Sequence, residues 1–418
     1  MSKISKNLNP ESLDTSTMDR PFTVAFLDYN QKVNSQSSPT TSDSGLSNER
    51  WHAAIWQHLP RVLIILLSLG AGPVYATAQS HISAYVTNVS GTVSVIDTAT
   101  DTVVATIPVG IFPSGVAITP DGTRVYVTNI FNSISVINAA TNTVVETIPS
   151  GQFPTGIAIT PDGARAYVVN QFVTHGNNTV SVIDTMTNAI VATISVGLGP
   201  SQIAITPDGT RAYVPDQQDS IISVIDTATN TVVTTIPVSG TAGIAITPDG
   251  TRAYVTSPGA GTVSVIDTAI NTVAATISLG TNQNPFGVAI TPDGTRAYVT
   301  TSFPNNFVSV IDTATNTVVA TIPVGVAPNG VAITPDGTRA YVTNDGSDTV
   351  SVIDTTTSTV VATIPVGVGP VAVAITPTPQ PATVKEQCKH HGYLKFGLPA
   401  GPFKNQGQCV SYVEHHEK

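Results

Sequence analysis

The sequence predicts an all-β ring, a seven-bladed β-propeller with four antiparallel strands in each blade. Three observations predict it. The first is a repeat: the tyrosine of a Tyr-Val pair recurs at Tyr85, Tyr126, Tyr167, Tyr213, Tyr254, Tyr298 and Tyr341, at intervals of 41 to 46 residues. A period near forty residues is that of a propeller or a solenoid. The second is the content of each unit, four short runs rich in Val, Ile, Thr and Tyr with no sustained helical periodicity. The third is the way the ends fit. The first unit lacks an initial strand and the last run lacks a successor, so the two fragments complete one blade and leave no open edge.

With the strands of a blade lettered A to D from the axis outward, the last full unit reads in order. Strand A is "GVAIT" (330–334), strand B "AYVTN" (340–344), strand C "VSVID" (350–354) and strand D "TVVATIPV" (359–366). "PDGTR" joins A to B as a tight turn, because Pro presets φ and Gly tolerates positive φ. "DTTTST" joins C to D, opened by an Asp that can bond its own backbone. The chain enters at a B strand, and the C-terminal A strand (371–376) is expected to join strands B to D at the N-terminal end (84–109). A solenoid would need capping repeats at both ends instead.

Composition sets limits on function. The 418-residue chain is 41% hydrophobic and 11% charged, which excludes the common, highly charged kind of disorder. Between His81 and Pro381 six arginines face seventeen aspartates and Glu146, and there is no lysine, so this segment carries a net charge of −12. Nucleic acid is not expected as a partner, since affinity for phosphate backbones rests largely on Lys and Arg.

Residues 1–60 read as a polar, disordered leader. Residues 61–78 resemble a signal peptide: Val62 to Val74 is apolar, Arg50 and Arg61 precede it, and Ala76 and Ala78 give the small-x-small pattern that predicts cleavage after Ala78. Thirteen apolar residues are too few to span a bilayer comfortably. The expected product is an exported monomer, periplasmic or at the cell surface, with no stable membrane span after cleavage. The propeller occupies 81–377 and a linker 378–384. Residues 385–418 form a small element with the only two cysteines, Cys388 and Cys409, which in an exported chain are expected to bond to each other.

The "YVTN" tetrad, the "PDG" turn and the run "VSVIDTATNTVVATIPVG" (308–325) resemble the YVTN-type β-propeller repeat. That family includes periplasmic YncE-like proteins and surface-layer-type proteins. The resemblance covers 81–377 and implies seven blades. It also implies DNA binding, from which a propeller without lysine departs. The C-terminal segment is similar to a short two-cysteine element of exported bacterial proteins.

The repeated Asp–Arg pairs, Asp121 with Arg124 through Asp336 with Arg339, are expected to serve turn chemistry and local ion pairing. Function is expected where the units differ, in the B–C and D–A loops, which open on the opposite rim. All seven phenylalanines of the propeller are placed there: Phe112, Phe153 and Phe286 in D–A loops, Phe131, Phe172, Phe303 and Phe307 in B–C loops. They read either as an aromatic binding patch or as pairs that pack the loop ends, Phe112 on Phe131, Phe153 on Phe172 and Phe286 on Phe303. Polar candidates in the altered loops are His175, Asn177, Gln217, Gln218, Asp219, Asn305 and Asn306. "NDGSDT" (344–349) lacks the carboxylates a calcium loop needs. The propeller has one glutamate, no cysteine and no paired histidines, so no catalytic residue, metal or cofactor is predicted. The predicted function is a non-catalytic scaffold contacting a protein or cell-envelope component through the B–C/D–A rim. The alternative is a lactonase-like hydrolase or lyase at the same rim, using His175 or Asp219.

Overall fold

The computed structural model describes residues 82–171, 178–302 and 304–378. These form seven four-stranded antiparallel sheets. The leader, the signal-like segment, the two-cysteine element with Cys388 and Cys409, and the loop residues Phe172, His175, Asn177 and Phe303 lie outside the described residues.

Blade 1 closes the ring as expected. Its strand A (Pro370–Ile375) lies beside strand B (Ser83–Asn88), followed by C (Thr92–Asp97) and D (Thr102–Pro108). Tyr85 pairs with Ala374 and Val86 with Val373. At the corner, the Ser83 amide donates to Thr376 Oγ1 at 2.9 Å.

Strands B and C are buried on both faces, because each blade is covered by a neighbour on either side. Tyr126, Ile134, Val136 and Ile148 of blade 2 thus meet Ala166, Val168 and Ile183 of blade 3 in one apolar cluster. Strand D is the exposed edge, and in every blade its pairing to C carries a register shift, as at Val95/Ile96. Such bulges twist an edge away from lateral pairing.

Each letter of the Tyr-Val-Thr-Asn tetrad has a separate role. The tyrosine is buried and its hydroxyl donates to the next blade: Tyr85 to Asn142 Oδ1 at 2.9 Å, Tyr126 to Asn188 at 2.7 Å, and Tyr167, Tyr213 and Tyr254 to Asn230, Asn271 and Asn316 at 2.8 Å. Those asparagines lie in C–D turns at positive φ, a conformation Asn tolerates better than most residues. At the seam between blades 7 and 1, Asp101 takes the asparagine's place. It accepts from Tyr341 at 2.6 Å and from Arg339 at 3.1 Å, so the closing junction carries an ion pair between blades. The threonine joins inner strands: Thr128 Oγ1 accepts from the Gly115 amide at 2.7 Å and donates to the Thr155 carbonyl of blade 3 at 2.6 Å. Thr87, Thr256, Thr300 and Thr343 repeat this donation to the next blade. Blade 4 has Pro215 there, which offers neither hydroxyl nor N–H, and its strand A shrinks to Ala204–Ile205. Ser201 supplies the interblade bond instead, donating to the Ala242 carbonyl at 2.8 Å.

The repeated aspartates and arginines serve turn chemistry and local ion pairing, as expected, but the ion pairs run to the C-strand ends rather than within the turn. The turn aspartates accept from their own threonines, as Asp208 does from Thr206 at 2.5 Å and from the Thr210 amide at 3.0 Å. These bonds, the threonine hydroxyl first, hold the Asp162, Asp208, Asp249 and Asp293 carboxyls below the usual range. The arginines reach past them. Arg211 and Arg296 pair with Asp226 and Asp312 at the ends of C strands. The register explains this, because Arg211 lies directly opposite Asp226, and Arg296 opposite Asp312.

Candidate functional site: the loop rim

On the B–C/D–A rim of five blades, the same D–A loop position offers its carbonyl to the B–C loop beside it. The Ile130 amide donates to Phe112 O at 3.1 Å, Gln171 to Phe153 O at 3.1 Å, Gln217 to Gly199 O at 3.0 Å, Asp345 to Ala327 O at 3.0 Å and Val89 to Gly369 O at 2.9 Å. The accepting carbonyl belongs to a residue at positive φ: Gly199 at 70°, Ala327 at 53° and Gly369 at 64°, but Phe112 at 52° and Phe153 at 48°. Glycine meets this requirement without steric cost, whereas a bulky side chain there is strained by roughly 1–2 kcal/mol. Blades 2 and 3 therefore hold phenylalanine where sister blades hold Gly or Ala.

The two readings of the aromatic set coexist at blade 2. The Phe112 and Phe131 rings pack with centroids 5.8 Å apart and planes tilted by 42°. Even so, Phe131 remains 50% exposed, beside Ile111 at 63%. Two placements need correction. Phe286 and Phe307 do not lie in loops: Phe286 is in strand A of blade 6 (Pro285–Ile290) and Phe307 opens its strand C (Phe307–Asp312). The Phe286 carbonyl accepts from Thr256 Oγ1 at 2.7 Å, so its backbone belongs to the inner ring. Tetrad threonines need such an acceptor in every next blade, and the loop reading missed this.

The polar candidates divide. Gln217, Gln218 and Asn305 are exposed. Asp219 Oδ2 accepts from the Leu198 amide at 2.7 Å and Asn306 Oδ1 from the Ala327 amide at 2.9 Å, which makes both of them caps for neighbouring D–A loops. Among the described residues no group of three or more His, Cys, Asp or Glu could hold a metal ion, and no helix is long and apolar enough to cross a membrane.

Beneath the loops runs a feature that sequence reading missed. The last residue of every B strand is buried: Asn88, Asn129, Asn170, Asp216, Ser257, Thr301 and Asn344. The recurring glycine of "IPVG" lies over it. A Cβ on Gly110 would stand 2.5 Å from Asn129 Cγ, and one on Gly197 2.7 Å from Asp216 Oδ2. Asn88 Nδ2 donates to Ser94 Oγ at 3.0 Å, and Asn129 and Asn344 do the same to Ser135 and Ser351. Asp216 accepts from Ser223 Oγ at 2.6 Å. Burial, aided by the charge of Asp219, pushes its carboxyl up to about 6 against the pull of that hydrogen bond. The visible signal was the one aspartate in the Asn column of the repeat.

Two cavities open on the opposite rim, at junctions between blades. One of ≈ 530 Å³ between blades 6 and 7 is lined by Asp293, Arg296, Tyr298, Asp336 and Thr355. One of ≈ 520 Å³ between blades 5 and 6 is lined by Asp249, Arg252, Asp293 and Thr313, without a tyrosine. The difference follows from Ser358, which stands in the asparagine column at φ 54°. It leaves Tyr298 with only the Thr355 carbonyl, at 3.4 Å. Ser358→Asn is accordingly expected to restore the junction and stabilise the ring by about 1 kcal/mol, read as a higher urea midpoint. An unchanged or lower midpoint would show that the tyrosine–asparagine bonds do not hold the blades together.

Residues 74–241 match the family model of the Choice-of-anchor I domain. No curated protein matches the chain in sequence. Among solved structures, hydrazine synthase of Kuenenia stuttgartiensis is similar at 27% identity and a TM-score of 0.59, covering 64% of this chain and 90% of that one. A protein of unknown function from Desulfotomaculum acetoxidans is similar at 20% identity and 0.62, covering 71% and 99%. The periplasmic gluconolactonase of Pseudomonas aeruginosa is similar at 18% identity and 0.61, covering 72% and 100%. The ring of blades is thus shared with proteins of unlike activity, and what the likeness carries is the fold.

Proposed function

We propose that this chain is an exported YVTN-type propeller that acts as a binding scaffold, holding a protein or cell-envelope partner against its B–C/D–A loop rim. One observation carries the reading: Phe112 and Phe153 sit at φ 52° and 48°, where Gly199 and Gly369 fill the same place elsewhere. Strain kept in a surface loop points to a use for the side chain beyond folding. The half-exposed Phe131 and the exposed Ile111 extend the same apolar surface. The anchor-domain match over 74–241 and the signal-like segment support export. The hydrolase reading has less behind it, since the Asp219 carboxylate is engaged as a loop cap.

The test replaces both strained residues by the one their conformation prefers. Phe112→Gly with Phe153→Gly is expected to keep the melting temperature within a few degrees, because relief of strain offsets lost packing. It is also expected to abolish cross-linking to the partner in native envelopes. Retained cross-linking by a folded variant would overturn the scaffold reading, as would turnover of a lactone panel by the wild-type chain.

A further inference from the structure

The loop rim carries a second feature, which meets the phenylalanine surface at Ile111. D–A loops at three successive junctions expose an aliphatic side chain: Val326 at 53%, Val368 at 60% and Ile111 at 63%. Two carboxylates stand within this arc, both at Gly369. Asp348 Oδ1 accepts from the Gly369 amide at 2.8 Å. A Cβ on Gly369 would lie 3.0 Å from Asp345 Oδ1 and 2.4 Å from Val89 Cγ2, and one on Gly346 would lie 2.8 Å from Val326 Cγ1. The carboxylates are therefore set among valines.

No described cation answers them on this rim. The six arginines all stand at or beside the A–B turns of the other rim, at the first residue of strand B, and residues 82–378 contain no lysine. Partial desolvation, then the charge of Asp348, holds the Asp345 carboxyl above the usual carboxylate range. An apolar arc enclosing two uncompensated like charges selects its partner by exclusion. A wholly apolar partner would desolvate both carboxylates without a counter-charge. An acidic partner would be repelled.

We propose that the rim at the junction of blades 7 and 1 docks a polypeptide segment that carries lysine or arginine among apolar residues. Its aliphatic side chains lie on Val326, Val368 and Ile111, and its cation meets Asp345 and Asp348. The proposal rests on the scaffold reading and names the chemistry of the partner.

A labelled synthetic peptide of alternating leucine and lysine is the probe, with a leucine–glutamate peptide as its counterpart. Binding to the full chain is read by fluorescence anisotropy at low and physiological salt. The lysine peptide is expected to bind at least tenfold more tightly than the glutamate peptide and to weaken as salt rises. Asp345→Asn, which leaves the Asp348 cap of Gly369 intact, is expected to lower affinity several-fold and to flatten the salt dependence. Val326→Ser with Val368→Ser is expected to lower it about tenfold while keeping the salt slope. Equal binding of the two peptides, or wild-type affinity in both variants, overturns the proposal. A gain in affinity when residues 385–418 are removed also overturns it, by assigning the surface to the chain's own C-terminal segment. The scaffold reading fails by a separate readout, retained envelope cross-linking in the phenylalanine variant, so the two failures are distinguishable.

Discussion

Gly243→Ala is expected to lower the stability of the ring by roughly 3 kcal/mol, the upper range for forcing a methyl group into a filled core. A Cβ there would stand 2.1 Å from the Phe286 carbonyl oxygen of the next blade and 3.1 Å from Thr256 Oγ1. Neither neighbour can yield cheaply. The carbonyl accepts from Thr256 Oγ1 at 2.7 Å, and the same hydroxyl accepts from the Gly243 amide at 2.8 Å. A shift of either group breaks the bond that joins the inner strands of blades 5 and 6. Gly259→Ala is the matched control, since nothing lies within 4 Å of its Cβ position. It is expected to leave the midpoint unchanged or slightly raised. Urea unfolding of the pair checks this, and a wild-type midpoint for the Gly243 variant would mean that the inner strands are free to part.

Asp216→Asn is expected to stabilise the protein above pH 7 by up to about 3 kcal/mol, at about 1.4 kcal/mol for each pKa unit. The sign follows from linkage. Asp216 is fully buried and its carboxyl is pushed up to about 6, above the value it has in the unfolded chain. Its contribution is fully present below about pH 4, and is lost as pH rises through 6. Above that, the folded state holds a buried carboxylate whose main support is Ser223 Oγ at 2.6 Å. Asparagine has no such charge to bury, and its amide can donate to Ser223 as Asn88 donates to Ser94. Stability curves of the two proteins should therefore coincide near pH 4 and separate through pH 6. A gap that stays constant from pH 4 to 8 would remove the ionisation argument.

The repeat made most of the fold legible. The period, the four β-rich runs and the matching ends set the number of blades, the strands within them and the closure, which the sheet orders bear out. The loops were less legible. Phe112 and Phe131 were paired correctly, because a D–A loop leads into the blade whose B–C loop follows. Phe286 and Phe307 were placed one element off, because each lies next to a strand end in sequence and the ladder extends to include it. Turn chemistry and local ion pairing were legible, but the partner was not, since the ladder sets Arg211 opposite Asp226 rather than beside Asp208.

The sequence by itself determined the seven wedges and the turn residues that shape them. Those depend on backbone preference and on short β-rich runs bounded by turn residues, which are properties of short segments. Only the tertiary structure decided which neighbours the repeated groups meet. Tyr126 finds Asn188, and Gly243 approaches Phe286, across a blade junction. The angle and spacing between blades arise from packing whole sheets together, and no single repeat encodes them. For the same reason, the apolar arc of Val326, Val368 and Ile111 around Asp345 and Asp348 became visible only when the last blade closed against the first.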